Sequence, residues 1–388
     1  MLIHELSKQL VERGHEVSVF TTDALNRNRR KVTEVNGIKV YEFKSVTNHV
    51  AAAFHINIYL SPSMVHALRR SLQNFDIIHL HEYRTFQNLI VGYYAIKMGI
   101  PYIVQAHGSI PTSTGKPIIG SLYDLLWGRK LLAHAVKVIA VTPQEAEQYR
   151  KIGINSEKIE IVPNAIDLTS FNELPEKGRF RKRYGLSDKK LILFLARIHK
   201  IKGLDLLAEA FFELSKEVDN VELVIAGPDY GYLKEIKKKI EKLKIRDKVL
   251  FVGALHGERK LEAYVDSDIY VLPSIYETFP VTVLEACACG TPVIVTDRCG
   301  IANIIDGQAG YAVPFDKDRL KGAFTSMLSD ERMRQKFGEQ GKLLVHERFT
   351  WSKVASQMES IYLSCLQDAK SARDLKDGYG YEHSRSVQ

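Results

Sequence analysis

Ser274-Ile275-Tyr276-Glu277-Thr278-Phe279-Pro280-Val281-Thr282-Val283-Leu284-Glu285-Ala286 follows directly on the apolar run Ile269-Tyr270-Val271-Leu272-Pro273. The run predicts a buried strand and the residues from Pro280 onward a helix, so the stretch is a strand–loop–helix junction of a parallel α/β sheet. Glu277 falls in the loop at the strand's carboxyl end, and Glu285 in the second turn of the helix. In open parallel sheets, ligands bind at the carboxyl ends of the strands. Ionised carboxylates only accept hydrogen bonds, which suits the vicinal hydroxyls of a ribose or a sugar. The helix start between them offers unpaired N–H groups to a phosphate. Hydroxyls on either side of a phosphate describe a nucleotide-sugar.

Outward from this junction, short apolar strands alternate with longer helical patterns along almost the whole chain. Leu191–Ala196, Val221–Ala226, Val249–Val252, Ile269–Leu272 and Val293–Thr296 read as strands of the second half. In the first half, Met1–Arg13 reads as a helix ended by Gly14. Val17–Phe20, Val32–Val35, Ile38–Tyr41, Ile77–Leu80, Tyr102–Gln105, Val136–Val141 and Ile159–Val162 read as strands. Asn36-Gly37 is a hairpin turn signal. The pattern restarts after Pro163-Asn164, so the expected architecture is two doubly wound, Rossmann-like α/β domains facing across a cleft. The expected division is 1–165, 166–350, a C-terminal helix over 351–368 packing back on the first domain, and a disordered tail over 369–388.

A chain of 388 residues with net charge +8 is too long for one ordinary core. Its apolar and charged fractions are those of a soluble globular protein. No apolar run reaches the roughly 18–20 residues that span a bilayer, and the amphipathic N-terminus does not read as a signal peptide. The four cysteines show neither metal-ligand nor disulfide spacing, which makes a reducing cytosol the simplest home. Basic residues concentrate in Asn26–Lys31 and Lys234–Lys248. Neither run is interleaved with stacking aromatics, and no nucleic-acid motif is present, so nucleic acid is not an expected partner.

Further stretches fit one family. Leu195-Ala196-Arg197-Ile198-His199-Lys200-Ile201-Lys202-Gly203, Ile225-Ala226-Gly227-Pro228, Phe251-Val252-Gly253 and Val162-Pro163-Asn164-Ala165-Ile166-Asp167 stand in the order, relative to Glu277 and Glu285, that this family uses. So do Arg13-Gly14-His15-Glu16-Val17 near the start and Phe349-Thr350-Trp351 near the end. The chain resembles the retaining family 4 glycosyltransferases (glycosyl transferases group 1) of the GT-B fold, whose signature is the E-x7-E element. The resemblance spans Leu6 to about Leu366.

It implies transfer of a hexosyl unit from a nucleoside-diphosphate sugar to a hydroxyl acceptor, a glycan, a lipid-linked sugar or a small molecule, with retained anomeric configuration. Glu277 would hold the donor sugar's hydroxyls, Glu285 the ribose diol, and Arg197 and Lys202 the diphosphate. His107, in Gln105-Ala106-His107-Gly108, would contact the sugar near its anomeric carbon. Gly227, Phe279, Pro280 and Val281 complete the donor-binding set. Two fixed cations stabilise the charge that builds on the departing phosphate, so no cofactor and no catalytic metal are expected. Asp266-Ser267-Asp268 is a DxD, a metal motif in another glycosyltransferase fold, but it precedes a strand and reads as structural. His79 and His81 fit cleft lining and core equally.

The resemblance also implies departures. Family members begin with a buried strand and a Gly-Gly loop, whereas Met1–Leu10 aligns with the helix after them. Both a late start codon and a true truncation account for this, and either way the first domain is expected to lack its first strand. Thr278 and Pro280 replace frequent glycines, Asn303 a frequent Glu, and Ala196 a usual Gly. A sugar-nucleotide epimerase and a non-catalytic nucleotide-sugar-binding partner are the alternatives. Lys116–Lys130, apolar with basic ends, fits either a buried helix or a segment resting on a membrane beside a lipid-linked acceptor. The expected location is the cytoplasm, with peripheral contact at the inner face of the membrane left open by that segment, in cell-envelope polysaccharide or glycolipid synthesis.

Overall fold

The computed structural model describes residues 2–23, 32–47, 59–110 and 117–383. The basic run Asn26–Lys31 and Lys116 lie outside the described residues. The strands are β1 Ser18–Thr22, β2 Val32–Val35, β3 Ile38–Phe43, β4 Ile78–His81, β5 Tyr102–Gln105, β6 Lys137–Ala140, β7 Ile159–Ile161, β8 Lys190–Leu195, β9 Val221–Ala226, β10 Val249–Gly253, β11 Ile269–Leu272, β12 Val293–Thr296 and β13 Gly310–Val313. The chain divides into two units, Met1–Pro163 with Ser352–Gln388, and Asn164–Trp351.

The second unit holds one six-stranded parallel sheet of order β10-β9-β8-β11-β12-β13. The chain builds outward from β8 through β9 to β10, then returns to the other side of β8 for β11. That reversal makes β8/β11 the topological switch point, the place in an open parallel sheet where ligands bind. Every residue of β9, β11 and β12 is buried, as expected of strands covered on both faces. β13, Gly310–Val313, offers only the short apolar stretch Tyr311-Ala312-Val313, half-buried at the sheet edge, which periodicity does not reveal.

The first unit contains two sheets rather than the single one expected. β4-β5-β6-β7 is parallel, while β1-β3-β2 is mixed, with β1 parallel and β2 antiparallel to β3. Asn36 (φ 52°) and Gly37 (φ 75°) both take positive φ, the geometry of a type I′ hairpin turn. Helix Phe86–Met98 starts at Thr85, whose side chain accepts from Asn88 N–H, and stops at Gly99 with φ 67°. Helix Pro143–Lys151 is capped in the same way by Thr142. Tyr83, Tyr102, Tyr149 and Leu132 pack at the centre of this unit's core.

The C-terminal helix departs from expectation. It runs Trp351–His383, so the segment from 369, expected to be a disordered tail, is helical as far as His383. Asp368-Ala369-Lys370-Ser371-Ala372-Arg373-Asp374-Leu375-Lys376 contains no proline or glycine and several strong helix formers, enough to extend a helix already started.

Candidate functional site

The loops after β8 and β11 are joined backbone to backbone at the switch point. Gly203 (φ +71°) lies so close to Pro273 that an added Cβ would stand 1.8 Å from the Pro273 carbonyl oxygen. Ile275 N–H donates to the Ile201 carbonyl at 2.8 Å. This contact carries Lys202, just before Gly203, onto Glu277, and the two form an ion pair with side chains only 10% and 16% exposed. Gly227 closes the β9 side in the same manner: a Cβ there would lie 1.8 Å from the Ala196 carbonyl oxygen. Arg197 remains exposed, its guanidinium 5.1 Å from the Tyr230 ring centroid.

Glu277 is fixed from the other side by the loop after β12. Its N–H donates to the Arg298 carbonyl at 3.3 Å, and its carbonyl accepts from Gly300 N–H at 2.8 Å. Helix Val281–Ala288 then begins at Pro280, which supplies no side-chain cap. Phe279 and Pro280 are buried and Val281 is half-buried. Glu285 faces inward from this helix. One carboxylate oxygen meets Lys260 Nζ at 2.7 Å and the other accepts from the Tyr264 hydroxyl at 3.1 Å. Arg197, Lys202, Gly227, Glu277, Phe279, Pro280, Val281 and Glu285 thus all belong to one unit, and each glutamate already holds a lysine.

His107 lies in the first unit and is described there alone. It follows β5 with φ +50°, and Gly108 after it has φ +85°. Its Nε2 lies 2.9 Å from His81 Nδ1, and His81 stacks on His79 with ring centroids 4.1 Å apart. His79 Nδ1 meets the Tyr362 hydroxyl at 2.8 Å. Burial disfavours the charged rings: it lowers His107 to about 4 and His79 to about 3, the latter helped by repulsion from His107, and it holds His81 well below its usual range. These imidazoles are neutral near pH 7. His79 Nε2 and His107 Nδ1 are buried without a hydrogen-bond partner.

The turn that carries His107 is held by Glu145. Its carboxylate accepts from Gly108 N–H at 2.5 Å and Val141 N–H at 2.7 Å. Burial raises the Glu145 carboxyl, and the two backbone donors oppose that shift. Tyr149, whose hydroxyl accepts from Ala106 N–H at 3.1 Å, fixes the preceding residue.

Residues 1–170 match the profile described as Glycosyltransferase Family 4, and residues 176–344 that of Glycosyl transferases group 1. N-acetyl-alpha-D-glucosaminyl L-malate synthase of Bacillus anthracis is 30% identical over 379 residues, covering 95% of this chain and 94% of that protein. This chain is a family 4 glycosyltransferase. An uncharacterised glycosyltransferase of Methanocaldococcus jannaschii is 27% identical over 378 residues, covering 93% of both chains. Among solved structures, sucrose-phosphate synthase from Thermosynechococcus elongatus superposes with a TM-score of 0.76 at 21% identity, over 94% of this chain and 93% of that one. Anabaena HepE in complex with UDP and glucose does so with a TM-score of 0.72 at 15% identity, over 94% and 95%. At these identities the likeness is one of fold, and the fold is GT-B.

Three residues of this family 4 glycosyltransferase, Lys260, Tyr264 and Glu145, escape sequence reasoning. Lys260 and Tyr264 hold Glu285 from a separate helix, Glu258–Asp266, and only their i, i+4 spacing hinted that they share a face. Glu145 was hidden because Thr142-Pro143-Gln144-Glu145 reads as an ordinary helix-capping sequence. Asp266 and Asp268 lie at the amino end of β11, where their carboxylates are engaged structurally. Asp266 accepts from the N–H groups of Gly178 and Arg181, and Asp268 from the Arg181 guanidinium and Leu191 N–H.

Proposed function

We propose that this family 4 glycosyltransferase transfers a hexosyl unit from a nucleoside-diphosphate sugar to a hydroxyl acceptor with retention at the anomeric carbon. The observation that carries the reading is the Lys202–Glu277 pair at the β8/β11 switch point, beside an uncapped helix start. A diphosphate takes Lys202 and Arg197, while the freed Glu277 carboxylate accepts from sugar hydroxyls. Glu285, already oriented by Lys260 and Tyr264, accepts from the ribose diol. Anabaena HepE, which shares the fold, was crystallised with UDP and glucose, in keeping with such a donor.

In the reaction, the bond from the anomeric carbon to the β-phosphate oxygen breaks and one to the acceptor oxygen forms on the same face. The acceptor's proton passes to the departing phosphate. Arg197 and Lys202 stabilise the charge that collects there, so the transfer requires no metal. His107 keeps the role the resemblance implies, contact with the sugar near the reacting carbon; its neutral ring accepts or donates a hydrogen bond without opposing positive charge there. The acceptor is a sugar, a lipid-linked sugar or a small hydroxylated molecule. Four buried free thiols suit the reducing cytoplasm.

The test is release of nucleoside diphosphate across a panel of donors, with the anomeric configuration of the product read by NMR. Glu277→Ala is expected to abolish turnover while thermal unfolding shows a folded protein. Turnover that survives the substitution rules out the assignment, as does a donor epimerised without transfer. Donor binding with no transfer to any acceptor identifies a binding partner instead.

A further inference from the structure

One face of the first unit has the wrong chemistry for water. Helix Phe86–Met98 buries Val91 and Ala95 but leaves Phe86, Tyr93 and Ile96 40%, 60% and 46% exposed. Beside it, the segment Pro117–His134 contains a wide π turn, Asp124–Gly128, that is fixed from beneath. Asp124 pairs with Arg84 at 2.7 Å, and the Tyr123 hydroxyl donates to the Tyr83 carbonyl at 3.0 Å. Gly128 packs against Tyr83 and Tyr123. The turn therefore holds Leu122, Leu125, Leu126 and Trp127 outward, 54%, 71%, 44% and 53% exposed. Phe86, Ile90, Tyr93, Tyr94 and Trp127 line a cavity of about 340 Å³ between the two segments.

The exposed charges on the elements that build this face share one sign. Helix Pro62–Ser71, helix Phe86–Met98 and the segment 117–134 carry Arg69, Arg70, Lys97, Arg129 and Lys130, all exposed. Their one acidic residue is Asp124, already neutralised by Arg84. A second copy docking here would oppose five cations with five more, which disfavours self-association. No helix among the described residues is long and apolar enough to cross a membrane.

We infer that this face docks on an anionic phospholipid surface, with Leu125, Leu126 and Trp127 entering the headgroup–acyl boundary and the five cations meeting lipid phosphates. An interfacial segment needs this combination of outward leucine and tryptophan with a basic margin. Basic side chains extend their alkyl stems along apolar surface while their heads reach phosphate. The inference goes beyond the transfer reaction, since docking needs neither donor nor acceptor.

Co-sedimentation with vesicles of equimolar phosphatidylglycerol and phosphatidylcholine tests it, with phosphatidylcholine vesicles as the comparison. The protein is expected to sediment with the anionic vesicles, less so in high salt, and brominated acyl chains are expected to quench tryptophan emission. That quenching should disappear in Trp127→Phe. Leu125→Ser with Leu126→Ser, and separately Arg129→Glu with Lys130→Glu, should each weaken binding by about tenfold or more. All four side chains are exposed, and unchanged thermal unfolding checks that the variants fold. Failure to sediment with anionic vesicles at low salt overturns the inference, and so does sedimentation undiminished in both double variants. A dimer that dissociates in the leucine variant, without vesicle binding by the parent, assigns the face to a second copy instead.

Discussion

The carboxyl ends of β8 and β11 and those of β4 and β5 are the same kind of place in a parallel sheet, yet they are furnished in opposite ways. At β8/β11 both candidate carboxylates hold a cation: Glu277 holds Lys202, and Glu285 holds Lys260. At β4/β5 the groups are neutral rings, and Glu145 is buried on backbone N–H groups alone. Under the proposed function, the charged end would exchange these partners for a ligand that offers both phosphate and hydroxyl groups. The rings of the other end are neutral through burial, and the carboxyls beside them, Glu82 and Glu145, are raised by burial. Shared topology fixes where a site can be, and the side chains decide what it can do.

The largest predicted effect breaks the charged end through its backbone. Gly203→Ala forces a Cβ into the Pro273 carbonyl and keeps a positive φ, so it is expected to cost roughly 3–5 kcal/mol in urea unfolding and to remove turnover. Gly153 is the comparison in the first unit. It also has positive φ, 91°, but nothing lies within 4 Å of an added Cβ, so Gly153→Ala should cost only about 1 kcal/mol. Equal costs would show that the contact between the two loops is not what requires glycine.

The next separates the stability of the charged pair from its use. Lys202→Met leaves Glu277 without its cation in a largely desolvated site, at an expected cost of about 3 kcal/mol. Adding Glu277→Gln removes the stranded charge and should restore stability to within about 1 kcal/mol of the parent. Turnover should stay absent in the double variant. A double variant that transfers sugar would show that the pair serves the fold and not the donor.

The two ends also differ in how much of them could be read from residues alone. Strands β9, β11 and β12 are continuous apolar runs buried on both faces, and their predicted bounds coincide with the observed ones. The E-x7-E spacing and Lys202-Gly203 are each common by themselves, and they pointed to the charged end only through their order along the chain beside apolar strands and a following helix. What stayed hidden is tertiary. Lys260 reaches Glu285 from 25 positions away, and Glu145 reaches Gly108 from 37; no local pattern encodes either contact. The division of the first unit into two sheets was equally unreadable, because strand propensity does not say which neighbour a strand takes. The helix past residue 369 failed for another reason: polar composition was read as disorder, although that segment has the residues of a helix.

The smallest effect sharpens the neutral end through pH. His107 titrates near its ordinary value in the unfolded chain and at about 4 in the folded one. Between those two values the unfolded chain binds a proton that the folded chain refuses. The ring therefore adds nothing to the pH dependence above about 6.5, and stability falls as pH drops toward 4. Glu145 and Glu82, both raised by burial, work in the opposite sense: the stability they contribute is present at low pH and lost as pH rises through their folded values. Both remain in His107→Gln, as do His79 and His81, so comparing that variant with the parent reports the ring together with the relief its loss gives those two neighbours. In urea titrations the parent should lose about 2 kcal/mol more than His107→Gln between pH 7 and pH 4.5. Parallel losses in the two proteins would mean that His107 takes up its proton in the folded state, and the contrast between a charged and a neutral end would fail at its central residue.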